Sequence, residues 1–139
     1  AILQFGRALR PNGLLYFDFV TEEMVLQHFA DQQWTENNGG FSTTWESDYD
    51  RATQITETTI RVNTGVVNTV RERIHSRKHI EDALARAGLK PLAILDAETW
   101  RKPRRKTIRV DVVAVKGEPG PYKKAFRETR NEIQALLQS

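Results

Sequence analysis

The segment Arg7-Ala8-Leu9-Arg10-Pro11-Asn12-Gly13-Leu14-Leu15-Tyr16-Phe17-Asp18-Phe19 is a helix stop followed at once by an apolar strand. Pro11 disfavours helical dihedrals in Arg10, and Asn12-Gly13 supplies the positive φ that a tight turn needs. The almost continuously apolar run from Leu14 is the pattern of a strand covered on both faces, as in parallel α/β sheets. Upstream, Ile2, Leu3 and Leu9 recur at helical spacing, so residues 1–9 read as the last turns of an amphipathic helix. That pattern begins at Ala1 with no cap residue before it, and the expectation is a segment that starts inside a longer fold.

Downstream, Thr21-Glu22-Glu23 opens a short helix carrying Met24, Val25 and Phe29, with His28 at its periphery. Ser42 to Tyr49, Thr53 to Val62 and Val66 to His75 are Thr-, Val- and Ile-rich with partial alternation. Asp50-Arg51 and Asn63-Thr64-Gly65 punctuate them, which predicts a three-stranded antiparallel meander over 41–75. Ser76 caps a helix over 79–87, with Ile80, Ala83, Leu84 and Ala87 on one face and Gly88 as its stop. Two further strands, 91–97 and 107–115, are joined through the basic run Arg101-Lys102-Pro103-Arg104-Arg105-Lys106. Glu118-Pro119-Gly120-Pro121 then breaks the chain before a final helix over 122–137.

A chain of 139 residues holds one small domain or part of a larger one. No window approaches the roughly 18 to 20 apolar residues of a membrane span, and the expected location is cytoplasmic, with no membrane partner. There is no cysteine, and the three histidines at 28, 75 and 79 leave little for a metal centre, so no metal is expected. The net charge of +3 is concentrated in the basic run. With only Trp100 beside it, that run lacks the basic-plus-aromatic pattern of single-strand readers, and it reads as a solvated crossover loop rather than a nucleic-acid site. Asp18 ends the apolar strand, where α/β sheets place ligands. Trp34, Trp45 and Tyr49 are candidate linings of an apolar substrate pocket, against the plainer alternative that they are core.

Three segments in order carry a family resemblance. Arg7 to Phe19 is similar to the "R-x-L-(K/R)-P-G-G, apolar strand" segment of class I S-adenosylmethionine-dependent methyltransferases, with Asn12 in place of the first Gly. Ser76-Arg77-Lys78-His79-Ile80-Glu81-Asp82-Ala83-Leu84-Ala85-Arg86-Ala87-Gly88-Leu89 resembles the family's "S-x-x-E-(I/L)-x-x-x-L-x-x-A-G-F" helix, with His79 replacing the acid. The closing strand from Ile108 to Lys116 is similar to one commonly ending "V-A-x-K". The resemblance spans about 1–117, leaving 118–139 as a helical extension. It implies an α/β fold: strands five, six and seven of a partial doubly wound sheet, with the meander inserted after strand five as a roof over the substrate pocket.

In that frame the end of the third meander strand faces the pocket, making Arg73 or His75 a holder of an anionic or hydroxylated substrate, or a base near neutral pH. The bland alternative is a solvated strand face carrying Arg71, Arg73 and His75. The family's cofactor half would contribute a Gly-rich turn opening a helix and an acidic residue ending a strand. Neither stands in this chain, and Gly39-Gly40 precedes a meander strand instead. The expectation is therefore the substrate-binding half of a small-molecule methyltransferase, not active alone, that takes S-adenosylmethionine only when a cofactor-binding half is supplied. The competing reading is a stand-alone ligand-binding or interaction module. Because strand five has no charge or proline guarding its far edge, the expected partner is a separate N-terminal half or a second copy in a homo-oligomer.

Overall fold

The computed structural model describes residues 1–137. The chain divides into two compact units, one made of residues 1–21 with those from 76 onward, the other of Glu22–His75.

In the first unit, helix α1 (Ile2–Ala8) ends at Leu9, and the turn at Asn12 (φ 62°) delivers the chain to strand β1 (Leu14–Val20). Helix α3 (Arg77–Arg86) starts where predicted: the Ser76 hydroxyl accepts from His79 N–H at 3.2 Å, and Gly88 at φ 69° closes the helix. Strands β6 (Lys90–Asp96) and β7 (Arg109–Val115) follow, then a single 3₁₀ turn (Gly120–Tyr122) and helix α4 (Lys123–Leu136). The sheet order is β1-β7-β6.

Both pairings are antiparallel, Leu14 opposite Val115 and Lys90 opposite Val115 at one end. This corrects the expectation of parallel neighbours for β1: among the described residues this sheet contains no parallel pair, and what the unit shows is an α/β fold with a small antiparallel sheet and a C-terminal helix. The reading of β1 as covered on both faces changes as well. Its residues alternate between half-buried (Leu15, Phe17, Phe19) and exposed (Leu14, Tyr16, Asp18, Val20). An apolar run cannot tell one covered face from two when the outward positions also happen to be Leu, Tyr and Val. The strand buried on both sides is β7, from Val110 to Val115.

One face of this sheet packs on α3 and α1. Ile80, Leu84, Leu89, Val110, Val112 and Ala114 form the buried cluster, and Ile2, Leu9, Leu15, Phe17 and Ile94 pack against it. Burying each such aliphatic side chain contributes about 1.5–3 kcal/mol. Near Asp111, Trp100 Nε1–H donates to the carboxylate at 2.9 Å, and the indole stacks on Phe126 of α4 at 6.2 Å. Arg130 and Gln134 of α4 both donate to the Trp100 carbonyl oxygen. The final helix therefore docks within its own unit through Trp100.

The second unit holds helix α2 (Glu22–His28) and four strands: β2 (Gln32–Asn38), β3 (Phe41–Asp50), β4 (Ile55–Val62) and β5 (Val67–Arg73). They form an antiparallel sheet in sequence order, so the meander has four strands rather than three. The extra strand, β2, is an edge strand whose residues are exposed apart from Trp34, and its polar sequence Gln-Gln-Trp-Thr-Glu-Asn-Asn carries no hydrophobic alternation. Its local signal lies in the turn. Gly39 (φ 54°) and Gly40 (φ 98°) form a two-residue loop between the paired Asn38 and Phe41, the positive-φ pair that a twisted hairpin requires.

Candidate functional site

In the four-stranded sheet, register decides which side chains share a face. Trp34 lies opposite Trp45, which lies opposite Ile60, and Tyr49 lies opposite Thr56. Two-residue alternation therefore puts Trp34, Trp45 and Tyr49 on one face. The two indoles stack with centroids 5.5 Å apart and planes 8° from parallel, and Phe29, one residue beyond α2, meets Trp34 edge-on at 5.9 Å. The indole N–H groups are satisfied locally, Trp34 by Glu36 at 3.3 Å and Trp45 by Thr43 Oγ1 at 3.2 Å.

At the other end of this face the Tyr49 hydroxyl donates to Glu22 Oε1 at 2.9 Å. Partial burial, then the hydrogen bond to Glu22 and the carboxylate's charge, push the Tyr49 hydroxyl up to about 12, because each disfavours the phenolate. Ser47 and Thr56, both buried, complete this end, with Ser47 Oγ sharing a 3.0 Å hydrogen bond with Thr58. The result is a platform of aromatic rings running into a protonated phenol and a carboxylate. Such a surface can stack an apolar or ring-shaped ligand while one acceptor pair fixes its polar edge.

Arg73 does not join this platform. It pairs with Ile55, which lies opposite Asp50, and these positions belong to the other face of the sheet. Every residue of β5 is exposed, and Arg71 on that second face holds Glu57 at 3.0 Å. His75 is an exposed residue beyond the end of β5. Asp18 stands in the first unit, directly opposite Asp111 in the β1–β7 pairing, and its carboxylate accepts from Arg109 Nε at 2.5 Å. The Asp18 hydrogen bond and charge raise the Arg109 guanidinium further above its ordinary value. Glu22 and Phe29, at the start of α2 and one residue beyond its end, are site residues that sequence reasoning did not single out; their contacts with Tyr49 and Trp34 place them beside the rings.

The glycines bear on whether the described residues could cradle a dinucleotide-like cofactor. Gly39, Gly40 and Gly65 lie in hairpin turns. Gly117 and Gly120 lie between strand β7 and α4, but a Cβ at Gly117 would meet Asn12 Oδ1 at 2.8 Å, so that space is filled by the Arg10–Gly13 turn. Tyr122 donates to the Asn12 carbonyl at 2.6 Å and seals it. Between β1 and α2 stands only Thr21, with no glycine to admit a pyrophosphate-sized group. Gly39, Gly40, Gly65 and Gly117 are thus accounted for by hairpin turns and by packing on Asn12. The described residues contain no cluster of three or more potential metal ligands, and no helix among them is long and apolar enough to cross a membrane.

Comparison of this arrangement with solved structures gives its class: the chain has the fold of part of a class I S-adenosylmethionine-dependent methyltransferase. It is similar to a crystal structure of an S-adenosylmethionine-dependent methyltransferase from Clostridium acetobutylicum, at 16% identity and a TM-score of 0.71, covering 84% of this chain and 50% of that one. It is also similar to the CcbJ methyltransferase from Streptomyces caelestis, at 15% identity and a TM-score of 0.63, covering 81% and 47%. A third similar structure is the sugar N-methyltransferase KedS8 from Streptoalloteichus, at 20% identity and a TM-score of 0.55, covering 84% and 47%. The chain thus spans about half the length of the structures it resembles. No family model matches it, and neither does any curated protein.

Proposed function

We propose that this chain is the substrate-binding half of an S-adenosylmethionine-dependent methyltransferase acting on small molecules, completed by a cofactor-binding half. The observation that carries the reading is the Trp34–Trp45 stack running into the Tyr49–Glu22 hydrogen bond on one sheet face. Indole faces stack on the C–H face of a sugar or on an aromatic ring, and Glu22 with Tyr49 offers an acceptor and a hydroxyl to an amine or hydroxyl beside it. A sugar N-methyltransferase among the similar structures supports a ring-shaped, amine-bearing substrate. Rate enhancement by such a half comes from holding the accepting atom in line and excluding water, not from an obligatory base. Arg73, on the opposite face, takes no part in this platform.

The seam for the other half is the outer edge of β1, which has β7 on one side and no strand on the other. Leu14, Tyr16 and Val20, 48%, 59% and 38% exposed, lie beside that edge on the face of β1 turned away from the core cluster, an apolar strip that packing by another half would cover. Self-association through the same strip is the competing occupant, and light scattering separates the two: a monomer that becomes a heterodimer only when the cofactor half is added supports the proposal. A second reading, a stand-alone binding module, draws on Phe41 and Val66, each 60% exposed at the far end of the sheet.

The test of the platform is a titration with deoxy amino sugars and hydroxylated aromatics, followed through the indole N–H resonances of Trp34 and Trp45. The proposal expects shifts at both resonances in the parent, loss of the Trp34 shift in Trp45→Ala, and both shifts intact in Arg73→Ala. A Trp34 shift that survives Trp45→Ala contradicts it.

A further inference from the structure

The outer edge of β6 and the basic face of α4 enclose a groove of about 440 Å³ in the first unit, remote in sequence from the aromatic platform. Its floor is the strand itself: the four consecutive residues Leu92 to Leu95 all line it. Side chains of successive strand residues point to opposite faces, so a cavity lined by four in a row runs along the strand's edge. That edge is open. β6 is the terminal strand of its sheet, and among the described residues the backbone groups of residues 91–95 make no hydrogen bond except to β7.

The wall is cationic. Lys102, Lys123, Arg127 and Arg130 line the groove, and no acidic residue does. Arg130 spends one N–H on the Trp100 carbonyl, while Lys102, Lys123 and Arg127 have no ion-pair or hydrogen-bond partner among the described residues. The one-sidedness is built into α4. Lys123, Arg127 and Arg130 recur at helical spacing toward the groove, whereas Glu128 and Glu132 fall on the opposite side of the helix. Lys124 and Glu128 stand four residues apart, the spacing at which opposite charges support each other, whereas Lys123, Arg127 and Arg130 have no acid four residues away.

We propose that this groove binds an extended acidic peptide segment of a partner protein, which adds a strand to the edge of β6 while its carboxylates meet Lys102, Lys123 and Arg127. The unpaired edge supplies main-chain hydrogen bonds, Leu92 and Ile94 supply apolar contact, and the cations choose the charge of the incoming strand. A mobile polyanion such as single-stranded nucleic acid is the weaker candidate, because Phe126 is already stacked on Trp100 and no free ring lines the groove for a base. The inference rests on the first unit alone and stands apart from the methyltransferase reading.

The test uses the full chain and a fluorescein-labelled peptide of alternating glutamate and valine, read by anisotropy. Three comparisons accompany it: the same peptide N-methylated at alternate amides, its lysine–valine counterpart, and an oligothymidylate. The proposal expects the acidic peptide to bind in the micromolar range. N-methylation should weaken binding at least about tenfold by removing ladder donors, and the lysine peptide should not bind. Lys123→Glu with Arg127→Glu should also weaken it at least about tenfold, and Lys102→Glu, in a loop outside the helix, should weaken it without any helical consequence. Absence of binding, equal binding of the N-methylated peptide, indifference to both sets of charge reversals, or tighter binding of the oligothymidylate would each overturn it.

Discussion

Gly6 is the buried residue of α1, and the account gives it a definite role: it lets α1 lie against the end of α3. A Cβ at this position would stand 2.5 Å from the Ala87 carbonyl oxygen and 3.0 Å from the Ala87 Cβ. The oxygen is main chain, directly before the positive-φ Gly88, so it cannot rotate aside. On an isolated helix Gly→Ala adds about 1 kcal/mol of stability through propensity. Here the forced separation of α1 from α3 works against that gain. Overpacking of this kind costs roughly 1–3 kcal/mol, and a 2.5 Å approach to fixed main chain that also loosens Ile2 and Leu9 on the core cluster belongs in the upper part of that range, about 2–3 kcal/mol. The net expectation for Gly6→Ala is a loss of about 1–2 kcal/mol, a fall in Tm of roughly 3–8 °C. Thermal unfolding by circular dichroism reads it, with Gly120→Ala as the control because a Cβ there meets nothing within 4 Å. A Gly6→Ala chain as stable as the parent, or more stable, would refute the docking of α1 on α3.

Other outcomes follow from the same geometry. Leu84 is fully buried in the core cluster, so Leu84→Ala should cost about 2–5 kcal/mol in denaturant unfolding, far more than Leu136→Ala at an exposed end of α4. Burial works to raise the Asp96 carboxyl, but hydrogen bonds from Thr107, Thr99 and the Glu98 and Thr99 amides win and hold it below the usual carboxylate range. With a depressed folded value, its contribution is complete above the unfolded pKa of about 3.9 and is lost as pH falls through the lower folded one. Asp96→Asn should therefore flatten the stability loss below about pH 4, read as midpoint against pH. Tyr49 should ionise near 12 by ultraviolet titration, and Glu22→Gln should bring it only part of the way down, because burial, the larger cause, remains. Its raised value implies stability that is intact below 10 and lost as pH rises toward 12.

Much of the first unit is legible in the residues because its signals are local. Ser76 and Gly88 mark both ends of α3, and Pro11-Asn12-Gly13 marks the entry to β1, whereas the burial on both sides read for Leu14–Phe19 belongs instead to Val110–Val115. Pairing direction is not local: Leu14 to Phe19 reads the same beside a parallel or an antiparallel neighbour, so the sheet's antiparallel character emerges only in the register with β7. Strand β2 hides because an edge strand exposed to water needs no hydrophobic alternation, and its one buried mark, Trp34, is a single residue. In the candidate site, the three aromatic residues fall on one face, while Arg73 lies on the other by a register that no composition or spacing reveals. Glu22 enters the site through tertiary packing, brought from a helix start to the Tyr49 hydroxyl by the fold.

The division of labour between two halves is tested most directly by titration calorimetry with S-adenosylmethionine. The chain by itself should release no heat of binding. The same chain mixed with a cofactor-binding half that bears a Gly-rich strand–turn–helix, and forms a heterodimer with it, should bind with one-to-one stoichiometry. Saturable binding of S-adenosylmethionine by the isolated chain would contradict the account.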